Sequence, residues 1–372
     1  MHHDTRSKIS VLRPLLIALV VSAHVPWTLY NPTSKEIDFT AWNVLRLTLT
    51  AVMSPIGMPL LSVISGFLVV SSFKKYGFSG LLKKKVARII VPMVVWNFAF
   101  ATLIYWAQSH GWESRRDLPL FKGETWAWLN AVFAIDTVPA NGPLYFLREL
   151  FICFCLVPIF IKLATYRHLS YAAFILSVLV IISDIQLPFI FRFDIYAWFL
   201  FGIFASIHSL DSWKPSTMHR SIILVTGAAT ACIVAFSYFI SRSSFNHIES
   251  TLTIFGPFYF WILADLIHDT KIGVLLKKYS KYSFTVFLSH AYVISCCWQI
   301  WSINAGSSPY DNFITFGVVC TTTVFLIAPV FYQIFYWWLL HAGFFVTGRS
   351  TNTIKSSVAA TNNENAISAV GG

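Results

Sequence analysis

Ten stretches of this chain are apolar for long enough to cross a bilayer, which takes about 17–25 residues per helix. They fall at 10–30, 46–72, 88–108, 142–162, 169–187, 189–208, 221–240, 251–268, 283–302 and 313–341. Lipid offers the backbone no hydrogen-bond partners, so segments of this kind span as helices. Only 12% of the residues are charged and 56% are hydrophobic, whereas soluble domains carry about 25% charged residues. The expected fold class is therefore an all-α polytopic membrane protein with about ten transmembrane helices. Pro55 and Pro59 are placed to kink the long second stretch. The fifth and sixth are close enough to form a hairpin. The first follows a basic start, as a signal peptide would. With nine further apolar stretches behind it, it reads as an uncleaved first span.

Ten spans put both termini on one side. Nineteen of the 27 Lys and Arg residues then fall on that side and eight on the other. The positive-inside rule makes the richer side cytoplasmic, so both termini are expected in the cytoplasm. The net charge of +11 is thereby explained by topology, and no nucleic-acid partner is expected. The longest outer loop, 109–141, holds Glu113, Arg115, Arg116, Asp117, Lys122, Glu124 and Asp136. It is too short for a second enzymatic domain and long enough for a lid. Residues 349–372 are rich in Ser, Thr, Asn, Ala and Gly and read as a disordered cytoplasmic tail behind a membrane domain of 1–348. The six cysteines lie in apolar stretches without metal-ligand spacing and read as small buried hydrophobes. No HExxH, GxSxG or Walker loop occurs, and no metal is expected.

Several ionisable residues interrupt the apolar stretches. Arg13 and His24 flank RPLLIALVVSAH. Eleven positions turn a helix by roughly 1100°, three turns and a little more, so the two share a face about 16 Å apart along the axis. Ionisable groups inside a span are costly and mark pairing or function. His24 is either an interfacial histidine or an intramembrane base, the neutral imidazole being the form that accepts a proton. Lys84, Lys85 and Arg88 in KKKVARIIVP stand where the third stretch begins. Cations at a helix N-terminus oppose the dipole. A bound polyanion would offset that, although ordinary flanking charge or lipid head-group binding accounts for them without one. Ser65-Gly66 in VISGFLVV suits close helix packing. In NGPLYFLREL, Asn141 is a possible cap and Pro143 fits a first helical turn. Arg148 and Glu149 there are adjacent, so each is expected to find its partner elsewhere. His290 in YSFTVFLSHAY is a second intramembrane histidine, bonded in the core or functional. Asp265 and His268 read as a surface pair. These features suit a transporter or flippase of an envelope glycan precursor as well as an enzyme.

Taken in order, the motifs resemble the membrane acyltransferase-3 family. Arg13 to His24 resembles its opening motif of Arg, ten residues, His. Ser65-Gly66-Phe67 resembles its Ser-Gly-Phe signature, and Lys85-Val86-Ala87-Arg88 before Pro92 its RxxR-type pair. Pro143-Leu144-Tyr145-Phe146-Leu147 and Ser283-Phe284-Thr285-Val286-Phe287-Leu288-Ser289-His290 are similar to its two later motifs. Lys85 stands for the usual Arg, Tyr145 for Trp, and Phe284 and Phe287 for tyrosines. The resemblance implies a multi-pass inner-membrane enzyme that moves an acyl group, most commonly acetyl, from acyl-CoA to a hydroxyl of an envelope glycan or lipid-linked saccharide. It implies His24 and Arg13 as catalytic residues and Lys84, Lys85 and Arg88 as the donor-binding set. Ser65, Tyr145, Arg148, Glu149 and His290 are further candidates. Some relatives carry a fused SGNH domain that completes transfer. Without one, this chain is expected to transfer directly or through a separate periplasmic partner.

Overall fold

A computed structural model describes residues 3–25, 41–111, 117–182, 190–212, 216–240, 242–304 and 313–342. The expectations for the tail at 349–372, for Glu113, Arg115 and Arg116, and for the end of the first stretch fall outside the described residues. Within them the chain folds as helices: α1 His3–His24, α2 Ala41–Lys85, α3 Val91–Ser109, α4 Thr125–Phe133, α5 Tyr145–Cys155, α6 Val157–Thr165, α7 Arg167–Ile182, α8 Phe193–Ile207, α9 Thr217–Ile240, α10 Arg242–Ile267, α11 Lys271–Tyr279, α12 Ser283–Asn304 and α13 Phe313–Ala342. Each expected apolar stretch is occupied by a helix, or, for the fourth, by the pair α5 and α6.

Among the described residues four helical runs are long and apolar enough to cross a membrane: Asp4–His24, Gly57–Ser109, Lys271–Asn304 and Thr315–Ile334. The pair α5–α6 makes a fifth if its 63° bend lies within one span. Pro158 enters the first turn of α6, where it cannot donate to the turn behind it, and the rod breaks there. Helices α7 and α8, of 16 and 15 residues, are apolar but fall short of the roughly 20 residues a straight crossing needs.

Two local features differ from the sequence expectation. The non-helical residue within α2 is Gly77, at φ 65°, rather than either proline. A left-handed φ is open to glycine at little steric cost. Beyond Gly77 the helix resumes, passes through a π-helical segment at Val86–Ile90 and runs on into α3. Lys84 and Lys85 therefore lie inside a helix and not at its first turn. The macrodipole, which acts within the terminal turn, is not what places a counter-ion there.

The packing centres on α8, whose Ile195, Trp198 and Phe199 are fully enclosed. Its contact with α2 is the most extensive between any two helices. Glycines make it possible: a Cβ on Gly66 would meet the Phe199 carbonyl oxygen at 2.0 Å, and one on Gly202 would meet that of Val63 at 2.1 Å. The outward faces of α7, α9 and α13 carry Ile175, Leu176, Val225 and Leu326 in exposed positions. Such an apolar perimeter is what lipid solvates. It also corrects the reading of the cysteines: Cys153 and Cys320 are buried, but Cys155, Cys232 and Cys296 lie on that perimeter, and all six are free thiols.

The described part of the outer loop, 117–141, is docked on α3 rather than hanging free. The Asn97 amide donates to the Val132 carbonyl at 2.8 Å, and the Gln108 amide to that of Leu118 at 2.9 Å. Leu118, Leu120, Ala131 and Ala140 close over Phe100, Ala101 and Ile104.

Candidate functional site

Helix α1 continues unbroken through Pro14, so Arg13 and His24 do share a face. That face runs along α12. Arg13 and Ile17 line the same cavity as Ser283 and Phe287, and the His24 ring meets the His290 ring with centroids 5.2 Å apart in an edge-on arrangement. The two histidines, far apart in sequence, are thus brought together. Arg13 marks the other end of the seam.

The cavity at the arginine end has a volume of about 290 Å³. Three cations line it: Arg13 from α1, Arg88 from the π-helical segment, and Lys281 from the turn before α12. Ser65, Ser280, Ser283, Thr285 and Tyr332 add hydroxyls, and no Asp or Glu lines it among the described residues. The Ser283 hydroxyl is buried and makes no hydrogen bond among the described residues. Such an arrangement suits an anion, because cations brought together repel at a cost that a shared phosphate or carboxylate removes. Phe146, Leu147, Leu150 and Phe287 form its apolar side. The Phe287 ring stands 5.7 Å from that of His290, so the apolar side of the cavity is also the approach to the histidines.

The π-helical segment explains how Arg88 arrives there. π-bulges re-aim side chains and recur at functional sites. Of the three lysines in KKKVAR, Lys85 places its ammonium 3.9 Å above the Phe154 ring, within electrostatic reach of Arg88 and Arg13. Lys84 does not join them: its ammonium sits 3.0 Å over the ring of Tyr76, away from the cavity lining.

At the histidine end the hydrogen bonds define the tautomers. The Nδ1–H of His24 donates to the Val20 carbonyl at 2.7 Å, and that of His290 to the Phe287 carbonyl at 2.7 Å. A carbonyl only accepts, so in each neutral ring Nδ1 carries the hydrogen and Nε2 keeps the lone pair. His24 is solvent-accessible and His290 fully enclosed. One face of the pair is open to a reactant and the other is shielded. The Asn141 amide donates to the Leu288 carbonyl at 3.0 Å, tying the NGPL segment to the turn that carries His290. Its side chain therefore does not cap the next helix.

Of the remaining candidates, Arg148, Glu149 and Tyr145 are bonded within the scaffold, while Ser65 lines the cavity. Arg148 and Glu149 bond each other, contrary to the expectation from their adjacency. Both side chains are long enough to fold back past the helix surface. Glu149, wholly buried, also accepts from the Tyr196 hydroxyl at 2.6 Å, and Arg148 donates to the Ile135 carbonyl at 3.1 Å. Tyr145 donates to the Met58 sulfur at 3.1 Å. Ser65 lines the cavity while Gly66, one residue on, makes the contact with α8. Asp265 is more than half of a surface pair: it holds Lys8 at 2.5 Å and Arg220 at 3.0 Å, joining α1, α9 and α10. His268 turns its Nε2 to Asp4 at 3.0 Å. Lys281, Ser283 and Tyr196 were not singled out from sequence, and Asn141 only as a possible helix cap. Ser283 opened a motif already quoted and Lys281 stands two residues before it, whereas nothing local marks Tyr196.

Among the described residues no group of three His, Cys, Asp or Glu side chains is placed to hold a metal ion. The comparison with protein families matches the acyltransferase domain over residues 6–352. The chain belongs to the acyltransferase-3 family. It is also 27% identical over 325 residues to the succinoglycan biosynthesis protein ExoH of Rhizobium meliloti (strain 1021), covering 84% of this chain and 85% of that one. No solved structure matches it. The membership, together with the long apolar helices, makes this a multi-pass membrane acyltransferase.

Proposed function

We propose that the protein transfers an acyl group, acetyl in the first instance, from cytoplasmic acyl-CoA to a hydroxyl of an envelope polysaccharide or its lipid-linked precursor. The observation that carries this reading is the continuity of one seam. A cavity lined by Arg13, Arg88 and Lys281 lies at one end of the α1–α12 interface, and a histidine with a free Nε2 lone pair lies at the other. Phosphates of the donor suit the cations, with Lys85 adding to the field. Its acyl thioester reaches past Phe287 toward His24. His24 takes the proton of the acceptor hydroxyl as the oxygen attacks the thioester carbonyl, and the CoA thiolate leaves. The glycan acceptor is supported by the relative named for succinoglycan biosynthesis.

The topology that goes with this reading places the chain in the inner membrane with about ten crossings and both termini in the cytoplasm, supported by the charge asymmetry of the loops. The arginine end then faces the donor's compartment and His24 the acceptor's. Residues 1–348 form the catalytic membrane domain. Mass spectrometry of envelope glycans tests the proposal in three strains: with the protein, without it, and with His24→Ala at matched expression. An acyl mass present only with the intact chain is the expected result. An acyl mass that persists with His24→Ala refutes the role of His24, and its absence from every strain refutes the glycan acceptor.

A further inference from the structure

A second cavity, of about 670 Å³, lies across α2 from the cation-lined one. Leu61 and Ser65 of α2 line the cation-lined cavity, whereas Leu60, Val63, Ile64 and Phe67 line the second, so the helix stands between the two. Helices α1, α8, α9 and α10 complete its walls through Ile9, Phe201, Ile223 and Ile262. At Gly227 the α9 and α10 walls close on each other, since an added Cβ would stand 3.0 Å from the Tyr259 ring. The lining follows α2, α9 and α10 for about 10 Å each, at about 1.5 Å per residue. Its volume is that of a ligand site, about 300–1,000 Å³. Phe255 and Phe258 on the lining stay accessible, so this is an open cleft and not a sealed void.

The walls are apolar. Thr226 and Thr230 donate their hydroxyls to carbonyls of their own helix, those of Ile222 and Thr226. The charged group on the lining is Asp211, in the short turn that follows α8. It accepts from the Thr5 hydroxyl at 3.0 Å through Oδ2, which places it at the end of the cleft where α1 begins. The other carboxylates described at that end face cations. Asp4 holds Lys8, Asp265 holds Lys8 and Arg220, and Asp269 stands 3.9 Å from Lys277. No cation pairs with Asp211 among the described residues. An ionisable group on an apolar wall of a membrane protein marks pairing or function.

The occupant follows from the two ends of the cleft. A hydrocarbon chain fits the walls, but it gains little by leaving other lipid chains for an apolar protein surface. The head group therefore decides which lipid stays. We propose that the cleft binds one acyl chain of phosphatidylethanolamine, whose primary ammonium donates to Asp211. Thr5 occupies Oδ2, and Oδ1 is left to accept from the ammonium. Such a bond is charge-assisted and lies at an apolar boundary, where it is strong. Lys8, whose ammonium is 6.0 Å from the Trp261 ring on the lining, already shares Asp265 with Arg220. A phosphatidylglycerol or polyprenyl phosphate head group, which brings no cation, meets the Asp211 carboxylate with like charge. Because α2 separates the cleft from the cations and histidines, this binding is independent of acyl transfer.

Native mass spectrometry of the full chain in detergent tests the proposal. Phosphatidylethanolamine and phosphatidylglycerol with the same acyl chains are added at equal concentration, and the lipid-bound fractions are compared. Phosphatidylethanolamine is expected to be preferred about fivefold, as one partly screened charged contact allows. Asp211→Asn keeps the shape and the bond from Thr5, and should bring the two lipids to within about 1.5-fold. Asp269→Asn, an exposed carboxylate off the lining, should keep the preference. Thr230→Phe fills the cleft from α9 and should lower the phosphatidylethanolamine-bound fraction about fivefold at an unchanged melting temperature. If that variant does not fold, Ala205→Phe fills the cleft from α8 in its place. No preference in the intact chain, or a preference for phosphatidylglycerol or for added polyprenyl phosphate, overturns the proposal. So does a preference that survives Asp211→Asn, one lost equally in Asp269→Asn, or full binding in a folded chain with the cleft filled.

Discussion

Gly66 gives the sharpest structural prediction, because the obstacle to a side chain there is backbone. An added Cβ would stand 2.0 Å from the Phe199 oxygen, 2.9 Å from its carbonyl carbon and 3.2 Å from the Ile203 nitrogen. Ordinary contact begins at 3.4 Å, so α2 and α8 must part by about 1.4 Å, the difference between 3.4 and 2.0 Å. A radial gap of about 0.5–1 Å already forfeits a quarter to a half of each dispersion contact. Overpacking in a core costs about 1–3 kcal/mol, and the upper end applies where neither partner is a flexible side chain. Against this, alanine gains about 1 kcal/mol of helix propensity over glycine. Gly66→Ala is therefore expected to destabilise by about 2 kcal/mol net. The assay is thermal unfolding of the purified chain in detergent, followed by tryptophan fluorescence. Gly80→Ala serves as the control, since the atom within 4 Å of its added carbon is the Tyr76 Cβ at 3.2 Å. It should match or exceed the wild-type melting temperature. A Gly66→Ala protein as stable as the Gly80→Ala protein refutes the reasoning, and the helix crossing with it.

Four further outcomes follow from the site and its supports. Arg88→Ala and Lys281→Ala should each raise KM for acyl-CoA by about 10-fold or more, the equivalent of a lost charged hydrogen bond worth about 1.5–3 kcal/mol; steady-state kinetics on vesicles reads this. Lys84→Ala, whose side chain covers Tyr76 outside the cavity, should leave the same KM within about twofold, since its ammonium does not line the cavity. Glu149→Ala removes the partner of both Tyr196 and Arg148 at a fully buried position and should cost about 3–5 kcal/mol, seen as a collapse in membrane yield or melting temperature. Asp265→Ala strands the buried Lys8 ammonium with Asp4, at 3.1 Å, and loosens Arg220. A loss of about 1–3 kcal/mol in thermal unfolding, without change in donor KM, is expected there.

The sequence made the helices legible because lipid leaves so few alternatives: an apolar run of sufficient length is a helix whatever its neighbours. The Arg13–His24 seam was legible for the same reason, since a helix fixes which residues share a face. The ends of elements were less so. A helix that passes Gly77 and continues through the basic stretch cannot be told from a loop by charge alone, because lysines are as common at helix surfaces as in turns. The π-helical turn at Val86–Ile90 has no local signature, yet it carries Arg88 to the cavity. The pairing of Arg148 with Glu149 defeated a rule about Cβ directions, since two long flexible side chains reach beyond what that rule constrains.

What sequence could least reveal is convergence. His24 and His290 each looked ambiguous, because a lone histidine in an apolar helix is satisfied by a single carbonyl, and both rings do have that carbonyl. The ambiguity ends only when the second nitrogen is considered. His24 is exposed as a residue beside a shielded partner, and the second nitrogen of His290 is sealed in without a hydrogen to accept. Arg13, Arg88 and Lys281 are set apart from Lys8 and Arg220 by where they converge. Lys8 and Arg220 are balanced by carboxylates that hold helices together, whereas these three meet around a cavity whose lining supplies hydroxyls and apolar side chains. Residues that complete one another's bonding stabilise the fold; residues whose bonding a substrate or a transferred proton completes are where chemistry is to be sought.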